Sequence, residues 1–291
     1  MTMHAATGEA EVVKTIVVTG ASGRLGLQVV KELLEHGYEA VGADRVRPQE
    51  RICRHVEINF NHLGEVYGLL RQADAVIHLA AIPAPGGQPN EVVYGNNVMS
   101  AYNVLEAAAG LGIGKAVMAS SISAYGMAFS EIPLDPLYVP LDENHPLLAR
   151  DAYGLSKIVV ETMARSFHLR TGMQVVSMRL ASVFTENRYR HVDVLPEPLR
   201  KRILWSYVDY RDAARACRLA VEADGLGAPA LNIADDITCA DEPSLDLMRK
   251  HYPDVADVRD SVRDYRTLLD NTAAKRLLNW QPAHHWRQYW T

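Results

Sequence analysis

The chain has 291 residues, 48% hydrophobic and 22% charged, a balance ordinary for a globular protein with a sizeable core in one large or two small domains. A formal net charge of −5 and a pI of about 6.1 leave no global basic field for a polyanion, which argues against nucleic acid as a partner. Cys53, Cys217 and Cys239 are odd in number and fit no metal-ligand or redox spacing, so small buried thiols in a reducing compartment are expected, with no disulfide and no metal.

The first thirteen residues lack a basic segment followed by an apolar one, and no run of about 18 apolar residues occurs. A cytoplasmic chain with a frayed N-terminus and no membrane association is expected. Lys14 to Thr19 (KTIVVT) is a β-branched run ending at the glycine turn Gly20-Ala21-Ser22-Gly23-Arg24-Leu25-Gly26, and Leu25 to His36 carries apolar residues at helical spacing. Further strands are expected at Glu39–Ala43, Ala75–Ala80, Lys115–Ser120 and Gln174–Leu180, with helices at Leu63–Arg71, Asn97–Ala109 and Tyr153–Arg170. The strand runs do not alternate in polarity, as in strands covered on both faces. Strand and helix in alternation predict an α/β fold, a doubly wound parallel sheet of Rossmann type with right-handed crossovers. After Leu180 the regularity fades around Pro196 and Pro198, and Arg200-Lys201-Arg202 reads as a solvated helix face. Tyr207 to Ala223 reads as a helix-rich segment and Ala230 to Ile233 as strand. Residues 14–180, with 207–233 returning to them, are expected to form the dinucleotide-binding domain. Residues 181–206 and 234–291 are expected to form a small substrate-capping region.

A parallel sheet binds ligands beyond the carboxyl ends of its strands, and Gly20-x-x-Gly23-x-x-Gly26 lies at the end of the first. Gly20 permits the tight turn, Gly23 lets backbone amides approach a pyrophosphate, and Gly26 lets helix and strand pack closely; the helix N-terminus offers unpaired N–H groups to the anion. Asp44, 18 residues beyond Gly26, ends the second strand where a carboxylate accepts hydrogen bonds from the adenosine ribose and repels a 2′-phosphate. NAD is therefore favoured over NADP, although Arg45 and Arg47 offer an alternative partner for that phosphate.

Tyr153 and Lys157 stand four apart on a helix and project from one face. A tyrosine serving as base near neutrality needs its pKa lowered by roughly 2 to 3 from about 10, worth about 3 to 4 kcal/mol. The Lys157 cation and an oxidised nicotinamide supply such a field. With 13 tyrosines and 7 lysines, about 0.3 such pairs arise by chance, so the pair does not stand alone. Ser120-Ser121-Ile122-Ser123 places hydroxyls at a strand end, where one can bind a substrate oxygen or simply form a polar terminus.

Together these residues resemble the extended short-chain dehydrogenase/reductase family, in its NAD-dependent epimerase/dehydratase branch. The resemblance runs from about Lys14 to Pro282. It includes the glycine turn, Asp44, Asn59-Phe60 where the family has an Asp-Leu pair near adenine, His78-Leu79-Ala80-Ala81, and Asn97-Val98 opening a helix. It continues through Ser120-Ser121-x-x-Ala124-Tyr125-Gly126, Tyr153-x-x-x-Lys157, Tyr207-Val208-Asp209-Tyr210-Arg211-Asp212 and Leu277-Leu278-Asn279-Trp280-Gln281-Pro282. The resemblance implies Ser121 as the hydroxyl orienting substrate, Tyr153 as general acid/base and Lys157 as its electrostatic and ribose partner, with Ser123 a second substrate contact. The implied cofactor set is Gly20, Ser22, Gly23, Arg24, Leu25, Gly26, Asp44, Asn59, Phe60, Leu79, Ala80, Ala81, Asn97, Tyr153 and Lys157. A homodimer through a four-helix interface, from the helices at 97–109 and 153–170, is also implied.

The departures fall in the substrate half. Nucleotide-sugar epimerases carry Arg-x-x-Asn where this chain reads Arg179-Leu180-Ala181-Ser182, and a diphosphate-binding arginine where this chain has Trp205. Only 27 residues separate Arg179 from Tyr207, which fits a smaller pocket, as in the family's uronate dehydrogenases. Ser182 and Arg188 are candidate substrate contacts, and Arg188 and Arg190 read equally as carboxylate or phosphate binders and as surface arginines. The expectation is an NAD-dependent oxidoreductase removing hydride from a sugar or sugar-acid carbinol carbon. A nucleotide-sugar epimerase with tightly bound NAD uses the same three residues. A dinucleotide-sensing regulator without turnover is the third reading, weakened by the retained Ser121, Tyr153 and Lys157.

Overall fold

The structure is a computed structural model and describes residues 14–189 and 197–289. The expected frayed N-terminus, Arg190 and Pro196 lie outside the described residues. Strand β1 (Thr15–Thr19) leads through the glycine turn into helix α1 (Arg24–Glu35), followed by β2 (Glu39–Asp44), β3 (Arg54–Glu57), α2 (Leu63–Leu70), β4 (Ala75–His78), α3 (Asn90–Gly110) and β5 (Lys115–Ser121). A 3-10 turn at Ile122–Tyr125 extends β5, and β6 (Tyr138–Val139), α4 (Ala152–Thr171) and β7 (Gln174–Leu180) come next. The chain ends through β8 (Ser182–Phe184), α5 (Glu186–Tyr189), α6 (Glu197–Arg202), β9 (Tyr207–Asp209), α7 (Tyr210–Glu222), β10 (Ala230–Ile233), α8 (Ser244–His251), β11 (Asp257–Val258) and α9 (Thr272–Leu278).

Seven strands form one sheet in the order β10-β7-β5-β4-β1-β2-β3, with every pairing parallel. The chain winds outward in one direction from β1 and in the other from β4, so the order reverses between these two strands. Loops diverge there and leave a crevice beyond the strand ends. Alternate residues of β1 face opposite layers: Ile16 and Val18 pack with Val29, Val30 and Leu33 of α1, whereas Val17 packs with Val66 of α2 and Val104 and Leu105 of α3. Both faces are covered, which is why the strand runs lack polar alternation.

Several boundaries differ from the sequence expectation. Helix α3 begins at Asn90, so Asn97 sits mid-helix and does not open it. Asn97 is satisfied by tertiary bonds: its Oδ1 accepts from Ile82 N at 2.8 Å while Nδ2 donates to Ile82 O at 3.0 Å. The helix-rich segment 207–223 opens with a short strand, β9, paired in parallel with β8; Asp209 then caps α7 by accepting from Arg211 N at 2.8 Å. The polar edge strand β3 carried no apolar signal. No described helix is long and apolar enough to cross a membrane.

Candidate active site

At the switch point the chain forms a cleft of about 610 Å³. Its floor is the glycine turn. Gly20 has φ +71°, and a Cβ there would lie 2.8 Å from Ala80 N on the neighbouring strand end. A Cβ on Gly26 would overlap the Gly20 carbonyl oxygen, so α1 packs on the turn without a side chain between them. Only glycine fits such close backbone approaches. Gly20, Gly23, Arg24, Leu25 and Gly26 line the cleft, as do Asp44 and Arg45. Asp44 Oδ2 accepts from Ser22 N at 3.1 Å and Oδ1 from Arg45 N at 2.7 Å, which orients the carboxylate at the strand end. Ser22 Oγ donates to Val46 O at 2.7 Å and ties the turn to the segment after β2.

Phe60, Leu79, Ala80 and Ala81 form the facing wall. Thr19 Oγ1 accepts from Leu79 N and Ala80 N, both at 3.1 Å, and is hydrogen-bonded to His78 Nδ1 at 2.8 Å. Burial, then the field of Lys157, pushes His78 down to about 3, so the ring is neutral and structural. Asn59 closes the turn before α2, its Oδ1 accepting from Asn61 N at 3.2 Å. Asn97 is bonded to Ile82 and lies 3.3 Å from Ser156 Oγ, and the cleft wall at this point is made by Asn96 and Ser100. Asn97, an expected cofactor contact, bonds Ile82, and Asn96 beside it lines the cleft.

At the other end of the cleft Ser121, Ser123, Tyr153 and Lys157 come together. Ser121 ends β5, and its hydroxyl accepts from Ser123 N and donates to Ser123 Oγ, both at 3.1 Å. Helix α4 is started by Asp151, whose side chain accepts from Gly154 N at 2.8 Å, and this cap sets the rotation that turns Tyr153 and Lys157 inward. Phe129 stands edge-on to the Tyr153 ring at 5.9 Å. Lys157 Nζ donates to Ala119 O at 2.8 Å and lies 5.4 Å from the Tyr153 ring centre.

The electrostatics differ from the sequence expectation. Burial pushes the Tyr153 phenol up to about 12; the Ser121 hydroxyl opposes this and the Asp151 carboxylate adds to it. Burial also pulls the Lys157 ammonium down to about 8, against the field of Glu161. Protein groups alone leave the phenol protonated near neutrality, because desolvation outweighs the neighbouring donors.

Ser182, Val183, Thr185 and Ile203 also line the cleft. Arg188 is not among the lining residues; its guanidinium lies 5.5 Å from the Phe184 ring centre. Sequence reasoning passed over Thr185, three residues beyond Ser182, and Glu161, four beyond Lys157; the helical spacing of Tyr153, Lys157 and Glu161 was the available signal. Asp209, Asp212 and His284 approach one another closely enough to share an ion. Asp209 is taken by Tyr189 and Arg211, and Asp212 by Ala283 N, His284 N and Arg215, so these carboxylates hold the C-terminal segment.

A parallel sheet with a glycine turn at its switch point, and a serine, tyrosine and lysine converging on the same cleft, defines a Rossmann-type dinucleotide-binding fold of the extended short-chain dehydrogenase/reductase class. Residues 16–234 match the NAD dependent epimerase/dehydratase family, and the chain belongs to it. It is 30% identical over 174 residues to UDP-glucose 4-epimerase 2 of Arabidopsis thaliana, covering 53% of this chain and 47% of that protein. It is 25% identical over 215 residues to uronate dehydrogenase of Pseudomonas syringae pv. tomato, covering 73% and 71%. The chain spans about half the length of several UDP-glucose 4-epimerases it matches. A short-chain dehydrogenase/reductase superfamily protein from Agrobacterium tumefaciens, solved with bound NAD, shares the fold with a TM-score of 0.74 at 19% identity over 94% of each chain.

Proposed function

We propose that the protein is an NAD-dependent oxidoreductase that removes hydride from a carbinol carbon of a sugar or sugar acid, with Tyr153 as general base. The observation that carries this reading is the convergence of Ser121, Tyr153 and Lys157 on the same cleft as the glycine turn. The cleft suits the cofactor: Gly20 and Gly26 leave a cradle that a Cβ would fill, and Asp44 lines the end where an adenosine ribose would lie. Bound NAD supplies the hydride acceptor and, when oxidised, a positive charge. In the proposed chemistry Ser121 holds the substrate oxygen, Tyr153 Oη takes its proton, and Lys157 stabilises the phenolate and the ribose. Cofactor preference for NAD over NADP follows from the Asp44 charge.

A nucleotide-sugar epimerase retaining its NAD is the second reading, favoured by the 30% identity to the Arabidopsis epimerase. Assembly as a homodimer through α3 and α4 draws support from the apolar side chains these helices leave exposed, Met99, Tyr102 and Leu155. One experiment separates the readings: incubation with NAD or NADP and a panel of free sugars, sugar acids and nucleotide sugars, following NADH absorbance and analysing products. Net NADH with a free sugar or sugar acid supports the dehydrogenase, and isomerised product without net NADH supports the epimerase. If neither appears with any compound and Tyr153→Phe binds NAD unchanged, a dinucleotide-sensing role replaces both.

A further inference from the structure

Lys157 sits in an unusual charge environment. It is 4% exposed, yet among the described residues no carboxylate is bonded to it; its Nζ donates to the Ala119 carbonyl. One helical turn on, Glu161 is 1% exposed and lies on the same face of α4 as Tyr153 and Lys157. Arg179 of β7 grips this carboxylate with two bonds, Nε to Oε1 at 2.9 Å and an Nη to Oε2 at 2.8 Å. Ser120 Oγ adds a third at 2.6 Å. Ser120 stands beside Arg179 in the sheet register and immediately precedes Ser121. Nη1 of Arg179, on the other edge of the guanidinium, donates to Tyr125 Oη and Glu143 O, at 3.0 and 3.1 Å.

One buried carboxylate therefore bonds one buried cation, Arg179, and acts electrostatically on a second, Lys157, one helical turn away. Their sum is a single positive charge at the Tyr153 end, the charge a phenolate there would need. A lone buried ammonium is strongly disfavoured, and its neighbouring carboxylate opposes that loss. We propose that Glu161, held by Arg179 and Ser120, is a positioning residue that keeps Lys157 cationic and locks the helix bearing Tyr153 to the strand bearing Ser121. This rests on the catalytic reading of Tyr153 and Lys157 given above.

The groups that bear on Lys157 are Tyr153 and Glu161 on α4, His78 at the end of β4 and the Ala119 carbonyl of β5, with Arg179 behind Glu161; Asp151 acts on Tyr153 from the helix cap. His78 is neutral, so Glu161 is the group whose removal changes the field at Lys157 most.

The test reads Lys157 directly. The full chain is labelled with 13Cε-lysine, which gives seven side-chain signals, and Lys157 is assigned by its loss in Lys157→Met. In wild type it should titrate near 8. In Glu161→Gln, and in Glu161→Gln/Arg179→Gln, which leaves no unpaired guanidinium, the midpoint should fall by about 1 or more, a tenfold change in the protonation equilibrium. The alkaline limb of turnover should move in the same direction. A Lys157 midpoint unchanged in these variants overturns the proposal and leaves Glu161 a purely structural residue. If neither Gln variant folds, Glu161→Asp decides, since its carboxylate is withdrawn by one methylene: an acid shift supports the proposal and no shift overturns it. If Lys157 shifts as expected but Tyr153→Phe retains full turnover, the catalytic reading fails and the electrostatic one stands.

Discussion

Replacing Gly26 by alanine tests the cofactor cradle. The added Cβ would overlap the Gly20 carbonyl oxygen and stand 2.7 Å from Gly20 C and 2.8 Å from Ala21 Cα, all backbone atoms with no rotamer to escape through. Restoring ordinary contact needs a separation of about 3.4 Å or more, so the turn must retreat from α1 by roughly 1 Å. Backbone N–H bonds to phosphate hold only over a few tenths of an ångström beyond about 2.9 Å. If two such bonds are lost at about 1.5 to 3 kcal/mol each, NAD binds about 3 to 6 kcal/mol more weakly, a loss of about 10²- to 10⁴-fold. The helix gains about 1 kcal/mol from replacing glycine, while the strained turn costs about 1 to 3 kcal/mol. Thermal stability should therefore fall only slightly. The assay is calorimetric titration with NAD beside thermal unfolding without it. NAD affinity within twofold of wild type would refute the reasoning, because the glycine turn would not be holding the pyrophosphate.

Tyr153→Phe should lower turnover by about 10²- to 10⁴-fold, the range for loss of a general base, with NAD affinity unchanged by calorimetry. His285 is bonded to Asp235 at 2.9 Å, and this bond, against partial desolvation, holds its pKa above the ordinary 6.5. The folded chain then keeps a proton that the unfolded chain releases, so this stabilisation is fully present below pH 6.5 and lost as pH rises through the folded value. The Tm difference between wild type and His285→Gln should accordingly be largest near pH about 6 and shrink towards pH about 9 in a melting series. Met99→Asp and Leu155→Asp place charges on the proposed dimer face, at residues 48% and 44% exposed; if that face pairs two copies, light scattering should show these variants as monomers beside a dimeric wild type, with little change in the fold.

The strand-helix alternation and both site motifs were legible in the sequence because each is local. A β-branched run, a glycine turn and a pair at helical spacing carry their periodicity in neighbouring residues, and β1, α1, β7 and α4 stand within a residue or two of the expected bounds. Elements stabilised mainly by distant partners were less legible. The start of α3 was misplaced because Asn97 is satisfied by Ile82, fifteen residues back in the chain. Strand β9 does not stand out within its helix-rich segment because only pairing with β8 makes it a strand, and β3 is a polar edge that one neighbour completes. In the site, the sequence alone determined that serine, tyrosine and lysine stand at a strand end and on one helix face. Only the tertiary structure decided that Asn96 lines the cleft while Asn97 bonds Ile82, and that Glu161 bonds Arg179 and acts on Lys157. It also decided that burial sets the phenol high and the ammonium low. Those facts depend on desolvation and on charges brought together from α4, β5 and β7, and no spacing within one segment records them.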